Sequence, residues 1–318
     1  MLPRIGLSMP SVRYISLQTE QSSKISEANI LCLGNFDGVH FAHRALLQRA
    51  KELQAQKMPN ARVGVFCFET LSTDFLSNNP PKHLTTLEQR LKYFADEGME
   101  FAYVADFPSL QNLSPEAFIS DVLAGQCACK AVVCGYNYRF GKGGAGTYQL
   151  LKEFFSSECA IAVPAVFQDG ETVSSTRIRE LLKLGKVKEA NSLLTVPFSI
   201  TASVEHGKGL GRHLGAPTFN QTPSPEILIP ARGVYLTRCN IDNKDYYGLT
   251  NIGTHPTIDT NATLNLETHL LNFDGDLYQQ ELRVEFLDYI RPEIRFDSKE
   301  SLQKQIQNDI KAAKERLK

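Results

Sequence analysis

The feature that most constrains the fold is a change of pattern between the two halves of this 318-residue chain. In the first half, short apolar runs alternate with segments of helical periodicity. The runs are Ile30–Leu33, Arg62–Phe68, Phe101–Val104, Ala131–Cys134 and Ala160–Val166. The helical segments are Arg44–Leu53, Leu87–Gly98 and Pro115–Leu123. This alternation predicts an α/β domain with a parallel sheet covered by helices, whose ligands bind beyond the carboxyl ends of the strands.

After Leu184-Gly185, short β-rich runs are separated by Gly, Pro, Asn and Asp turns. The runs are Phe198–Val204, Gly233–Arg238, Tyr246–Leu249, Leu264–Leu271 and Leu282–Phe286, and one helical segment, Lys299–Leu317, follows them. This pattern predicts a small antiparallel β-barrel with a C-terminal helix. Since domains average about 150 residues, the length also indicates two domains. We place the boundary so that the domains are residues 1–186 and 187–318.

Composition narrows the class of protein. Lys and Arg total 34 against 35 Asp and Glu, a net charge of −1 that argues against nucleic acid as a partner. No run approaches the ~18 apolar residues of a membrane span, and no apolar signal segment follows Arg4. The seven cysteines are an odd number without a CxxC pair, which favours buried free thiols in a reducing compartment. We therefore expect a cytoplasmic protein with no membrane partner; the sequence carries no signal for its oligomeric state.

The strongest local motif runs from Leu33 to His43, where a strand ends in a glycine-bearing turn and a helix begins. Backbone N–H groups and the positive end of the helix dipole bind phosphates at such a junction. His40 and His43 are three residues apart, so both imidazoles face the same anion. The alternative is that Asp37 caps the helix and the histidines are ordinary surface residues.

Two further segments are candidate anion sites. The loop Gly135–Gly146 follows a strand and carries Asn137, Arg139 and Lys142, although a flexible surface loop would have the same composition. Hydroxyl residues then open a helix that has Arg177 and Arg179 in its first turn. These hydroxyls serve either as helix caps or as a second phosphate cradle.

The second half has its own candidate site. The stretch from Gly207 to Gly215 is a glycine-bearing loop able to fold over a nucleotide. Thr218 and Asn220 are two apart on a strand, so their oxygens point the same way and suit Mg²⁺ beside phosphates. Glu267 lies in a β-rich run, where an acidic residue is either a solvated outward group or a catalytic base.

These motifs, taken in order, resemble one family. Gly34–His43, Gly135–Gly141 and Ser174–Arg179 are similar to three signatures of the flavin adenylyltransferase half of bacterial bifunctional riboflavin kinase/FAD synthetases. The kinase half of that family is resembled by Gly211–Asn220, Gly233–Tyr235, Asn251–Thr257, Glu267–Phe273, Asp276–Tyr278 and Arg291–Phe296.

The resemblance implies that residues 1–186 transfer AMP from ATP to FMN, giving FAD and pyrophosphate, and that residues 187–318 phosphorylate riboflavin to FMN with a second ATP. It implies a Rossmann-like nucleotidyltransferase domain, Mg²⁺ in each half, and only small molecules as partners. Catalytic roles fall to His40 and His43 in the first half and to Glu267, as general base, in the second.

The remaining site residues are also implied by the resemblance. Adenylyltransferase ATP contacts fall to Gly34, Asn35, Phe36, Asp37, Asn137, Arg139, Ser174, Ser175, Thr176 and Arg179. Kinase ATP contacts fall to Gly207, Lys208, Gly211, Gly215, Pro217, Thr218 and Asn220, with Thr218 and Asn220 also as metal ligands. Arg291 is the expected flavin contact.

Two other functions are compatible with the sequence. One is a nucleotidyltransferase acting on a different small phosphate, with a barrel that has no catalytic role. The other is a flavin or nucleotide sensor that binds its ligand without turnover.

Overall fold

The computed structural model describes residues 13–16, 28–205, 218–254 and 264–317. By its internal contacts the chain divides into two compact units, Met1–Ser174 and Ser175–Lys318. The division precedes the helices that lead into the second half, and the boundary at residues 186 and 187 stays a prediction.

The first unit contains a six-stranded parallel sheet, which confirms the predicted architecture. The strand order is β1-β4-β3-β2-β5-β6. The strands are β1 (Arg13–Ser16), β2 (Asn29–Leu33), β3 (Arg62–Phe68), β4 (Phe101–Ala105), β5 (Cys129–Gly135) and β6 (Ala160–Val163), with a separate hairpin of β7 (Phe167–Gln168) and β8 (Glu171–Thr172). β1 was not predicted, because a four-residue edge strand with Arg13 and Ser16 at its ends has no apolar run.

Helices connect the strands of this sheet. They are α1 (Phe41–Lys57), α2 (Thr73–Leu76), α3 (Leu87–Asp96), α4 (Phe107–Leu110), α5 (Pro115–Ala117) and α6 (Tyr148–Phe155), with a 3₁₀ turn at Lys142–Gly144. The predicted helix Pro115–Leu123 differs in kind, because α5 passes into a π-helix, Phe118–Gln126. Its apolar side chains, including Phe118 and Leu123, still pack into the sheet's core.

Two strands of this sheet, β2 and β4, are buried throughout, which explains why they are continuous apolar runs rather than alternating ones. All five residues of β2 are buried, as are the five of β4. Gly64 in β3 lets β4 approach closely, since a Cβ there would lie 2.5 Å from the Phe101 ring. All seven cysteines are free thiols, as predicted, and six are buried.

The second unit begins with α7 (Ser175–Lys183) and α8 (Val187–Leu193) and continues into a closed barrel. The neighbouring strands of the barrel, β10-β13-β12-β11-β14-β9, are all antiparallel, which confirms the prediction. They are β9 (Ser199–Glu205), β10 (Phe219–Gln221), β11 (Gly233–Ile241), β12 (Lys244–Thr254), β13 (Leu264–Leu270) and β14 (Glu281–Arg291). The final helix is α9 (Lys299–Arg316).

Alternation along the barrel strands separates an inner from an outer face. Thr237, Thr250 and Thr268 are fully buried, and their hydroxyls form a chain with oxygen separations of 2.9 and 2.8 Å. Glu267, next to Thr268, therefore lies on the outer face. Across the part of the chain that the structure describes, no helix is long and apolar enough to cross a membrane.

Candidate active sites

The first candidate site begins where β2 ends. From Gly34 the chain turns sharply, with positive φ at Phe36 (54°), Gly38 (85°) and Val39 (39°), before α1 starts. His40, not Asp37, is the N-cap of α1, so the alternative in which Asp37 caps this helix is wrong. The turn brings the backbone of residues 34–40 to the N-terminus of a 17-residue helix, the position that favours an anion.

The two histidine rings stack on each other, although His40 is the extended N-cap residue and not part of the first helical turn as predicted. Their ring centroids are 3.7 Å apart with an interplanar angle of 14°. The backbone N–H of His43 donates a hydrogen bond to the ring nitrogen Nδ1 of His40 at 3.4 Å. Because Nδ1 is then the acceptor, the proton of a neutral His40 ring is assigned to Nε2. His40 is only 4% exposed, so it is not an ordinary surface residue.

Burial, and secondarily the nearby His40, holds the pKa of His43 well below its usual value of 6.5. His43 is therefore neutral at pH 7. Its Nδ1 is buried and has no hydrogen-bond partner among the described residues. A neutral imidazole stacked at a helix N-terminus can donate a hydrogen bond to a phosphate oxygen and can take up a proton when negative charge arrives.

Asp37 has a structural task beneath this turn. Its carboxylate accepts hydrogen bonds from the Leu84 N–H (2.9 Å), the Thr85 N–H (3.1 Å) and the Thr85 hydroxyl (3.1 Å). The Gly38 N–H donates to the same Thr85 hydroxyl at 3.0 Å. The side chain is 2% exposed and joins the turn to residues 84–85; its predicted contact with ATP stays a prediction.

A pocket of about 590 Å³ opens beside the turn, within the first unit. Gly34 and Asn35 line it, as do the predicted residues Asn137 and Arg139 of the loop after β5. Its other walls combine aromatic rings with amides and a lysine, namely Phe66, Phe68, Phe107, Phe118, Tyr138, Phe140, Gln111, Asn112 and Lys142. The pocket thus suits a flat, partly apolar ligand attached to an anion.

The loop after β5 depends on glycine at one point. Gly141 has a φ of 69°, and a Cβ there would lie 2.8 Å from the Pro115 nitrogen, so a larger residue would be strained and would clash. The wall residues Phe107, Gln111 and Asn112 were not predicted, because the α4 region has no motif to mark it.

The remaining adenylyltransferase residues divide between the two units. Ser174 is the last residue of the first unit, whereas Ser175, Thr176 and Arg179 lie in α7 of the second. Thr176 is exposed and Arg179 is 9% exposed. Their predicted ATP contacts stay predictions.

The second candidate site lies on the barrel's outer face. In the strand register, Asn220 of β10 is opposite Glu267 of β13, which is opposite Asn251 of β12. The Thr218 hydroxyl donates to Glu267 Oε1 at 2.7 Å. Asn265 Nδ2 donates to Asn220 Oδ1 at 2.5 Å. The three predicted residues Thr218, Asn220 and Glu267 are thus together on one face.

The oxygen atoms of this cluster fit a hard divalent cation. The Thr218 hydroxyl contacts the Glu267 carboxylate, and the Asn220 amide lies at the opposite register position; these are ligand types that Mg²⁺ prefers. In the described ranges no group of three or more His, Cys, Asp and Glu side chains is placed to hold a metal. The predicted residues Gly207, Lys208, Gly211, Gly215 and Pro217 lie outside the described residues.

Arg291, the predicted flavin contact, lies in an ion pair. Its Nε donates to Asp309 Oδ1 at 3.0 Å and its Nη2 to Asp309 Oδ2 at 2.7 Å. Asp309 is on α9, so this pair ties the final helix to β14. The structure gives Arg291 a packing role, and its contact with flavin stays a prediction.

Comparison with known proteins identifies a family for each half of the chain. A family model described as FAD synthetase matches residues 22–177, and one described as riboflavin kinase matches residues 194–317. A bifunctional riboflavin kinase/FMN adenylyltransferase of Escherichia coli (strain K12) is 36% identical over 294 residues, covering 91% of this chain and 93% of its own. The protein of the same name from Listeria monocytogenes is 31% identical, covering 88% and 90%.

A crystal structure described as a macrolide-efflux protein from Streptococcus pneumoniae matches with a TM-score of 0.84 at 27% identity. The match covers 95% of this chain and 99% of that one, so the likeness extends over both units. The curated relatives likewise match nearly the whole chain. The chain therefore belongs to the bifunctional riboflavin kinase/FMN adenylyltransferase family.

Proposed function

We propose that the chain converts riboflavin to FAD in two steps, with FMN formed by the barrel unit and adenylylated by the α/β unit. One observation supports adenylyl transfer by the first unit. The turn of residues 34–40, which ends at the N-cap His40 and is called the histidine-capped turn below, is continuous with the aromatic pocket, since Gly34 and Asn35 belong to both. A flavin mononucleotide has the matching parts, a flat ring system and a phosphate.

In the adenylyl transfer, a phosphate oxygen of FMN attacks the α-phosphorus of ATP. The new P–O bond forms as the bond from the α-phosphorus to pyrophosphate breaks, and pyrophosphate leaves with the electron pair. Negative charge builds on the leaving group, and in this proposal the α1 N-terminus with His40 and His43 stabilises it, which the stacked rings at that N-terminus support. Asn137 and Arg139 border the same pocket and position the substrates.

In the phosphorylation, the ribityl 5′-hydroxyl of riboflavin attacks the γ-phosphorus of ATP, and ADP leaves. Glu267 takes the hydroxyl proton as the new P–O bond forms. The hydrogen bond from Thr218 to Glu267 Oε1 fixes the direction of the carboxylate. On the outer face of the barrel, Glu267 is accessible to a substrate. In the closed interior it would not be accessible.

Mg²⁺ belongs to both half-reactions in this proposal. In the barrel unit Thr218 and Asn220 would hold it, and it would neutralise charge on the phosphates of ATP. Glu267 itself takes the proton from the riboflavin hydroxyl, and Thr218 orients the Glu267 carboxylate.

Two substitutions in the same chain test this division of work. His43→Ala should abolish FAD formation from FMN and ATP while sparing FMN formation from riboflavin. Glu267→Gln, which keeps the shape of the side chain and removes its basicity, should do the reverse. Each variant's intact reaction is the folding control for its lost one, and flavins separated by chromatography over time give both rates.

The same assay decides between this proposal and the alternatives. If riboflavin is never phosphorylated by the wild-type chain but another phosphate is adenylylated, the barrel has no catalytic role. If flavin fluorescence is quenched on binding but no product forms, the chain is a sensor. Retained FAD formation in His43→Ala would remove that residue from the reaction.

A further inference from the structure

A buried cation lies directly under the histidine-capped turn. Arg90 of α3 is 2% exposed. Its Nη1 donates to the Asn35 carbonyl at 3.1 Å and to the Phe68 carbonyl at 2.9 Å, and its Nη2 donates to the Glu69 carbonyl at 2.6 Å. The guanidinium thus joins the turn after β2 to the end of β3.

This arrangement is unusual in its charge balance. Among the described residues, no carboxylate pairs with Arg90, and its Nε is buried without a hydrogen-bond partner. A buried charge is costly unless it is paired or well hydrogen-bonded. The full positive charge is here met only by carbonyl dipoles, so it remains available to attract an anion bound on the other side of the turn.

The contact with Asn35 also sets the direction of a backbone donor. In a trans peptide the C=O of one residue and the N–H of the next point in opposite directions. Since Arg90 holds the Asn35 carbonyl on the buried side, the Phe36 N–H points away from the guanidinium. No acceptor for this N–H exists among the described residues.

We infer that Arg90 is a positioning residue for adenylyl transfer, which orients the Phe36 N–H for a phosphate of ATP and adds its own charge to that site. The inference rests on the proposed function of the first unit. Lysine would keep the charge but could not span three carbonyls, because it lacks the planar fork of a guanidinium.

The test compares three full-length variants with the wild type. Arg90→Met removes the charge and the contacts, Arg90→Lys keeps the charge alone, and Lys92→Met removes an exposed cation from the same helix as a matched control. The KM for ATP and the kcat are measured for FAD formation from supplied FMN. Riboflavin phosphorylation by the second unit is measured in each sample.

We expect Arg90→Met to lose kcat/KM on the order of tenfold to a hundredfold, with a raised KM for ATP. Arg90→Lys should show a smaller rise in KM, and Lys92→Met none. If Arg90 had only a structural role, a smaller fraction of the enzyme molecules would be active. The apparent kcat would then fall, and the KM for ATP would stay unchanged. If Arg90→Met does not fold, Arg90→Lys decides.

An unchanged KM for ATP in either folded Arg90 variant would overturn the inference, as would an equal rise in Lys92→Met. The proposed function fails in a different way, since the wild-type chain would then make no FAD from FMN and ATP.

Discussion

Removing the carboxylate of Asp37 should destabilise the first unit strongly. The variant Asp37→Ala deprives the Leu84 and Thr85 N–H groups of their acceptor, and both residues are buried, with exposures of 1% and 6%. Leaving a buried donor unsatisfied costs about 1–3 kcal/mol. Two such donors therefore give an expected loss of about 4 kcal/mol, before any relief from no longer burying the carboxylate.

Hydrogen exchange followed by mass spectrometry measures this loss unit by unit. Because about 1.4 kcal/mol corresponds to tenfold in an opening equilibrium, core amides of β2, β3 and β5 should exchange about a thousandfold faster in the variant. Amides of the barrel strands report on the second unit, and FMN formation provides a second check that this unit is intact.

A matched control is Asp106→Ala. Asp106 caps the four-residue helix α4 at an exposed position, where its Oδ2 accepts the Ser109 N–H at 3.0 Å. Losing an exposed cap costs about 1 kcal/mol, and the effect stays local. If core exchange in Asp37→Ala changes by less than tenfold while the KM for ATP rises sharply, Asp37 is an ATP ligand and not a brace.

The titrating group His43 and the ion pair between Arg291 and Asp309 each affect the stability of one unit. Because the folded-state pKa of His43 lies well below that of the unfolded chain, only the unfolded chain takes up this proton near pH 6, and stability falls as pH falls through about 6.5. When the pH is lowered from about 7.5 to 5.5, the free energy of urea unfolding of the first unit should fall by about 1.4 kcal/mol more in the wild type than in His43→Gln. Equal decreases in the two proteins would show that His43 protonates freely in the folded protein. The side chains of Asp309 and Arg291 are 6% and 18% exposed, respectively. Asp309→Ala should lower the free energy of unfolding of the second unit by about 3 kcal/mol, because Arg291 would stay largely buried without its partner. The temperature at which half of the FMN-forming activity is lost should fall, while FAD formation from supplied FMN is unchanged. An unaltered temperature would show that water screens the ion pair.

The fold was predictable because its signals are local and repeated. Alternating runs gave the parallel sheet, and short β-rich runs gave the barrel. The four-residue β1 was not predicted, because so few residues carry no period. The three-residue β10 was expected only as the strand that carries Asn220, and no apolar run marks it.

The sites were predictable only where a motif is contiguous. The spacing of His40 and His43 predicted that their rings would be close, but not that His40 would be the N-cap or that the rings would stack. The partners of Asp37 are 47 and 48 residues away, and the Asn35 carbonyl is 55 residues from Arg90. Contacts of that range leave no mark in local sequence, so neither brace was foreseen.

Those two braces share one short segment and one physical principle. Between Leu84 and Arg90 the chain supplies two N–H donors to the Asp37 carboxylate and a guanidinium to the carbonyls of residues 35, 68 and 69. Each of the two buried charges thus faces backbone dipoles of the opposite sense. Backbone dipoles cannot rotate freely, so the turn is held in its shape before ATP arrives, and little reorganisation is left for the moment of reaction. A substitution at either brace should therefore alter both the stability of the first unit and its KM for ATP, and the independent kinase reaction of the same chain shows that the change is confined to that unit.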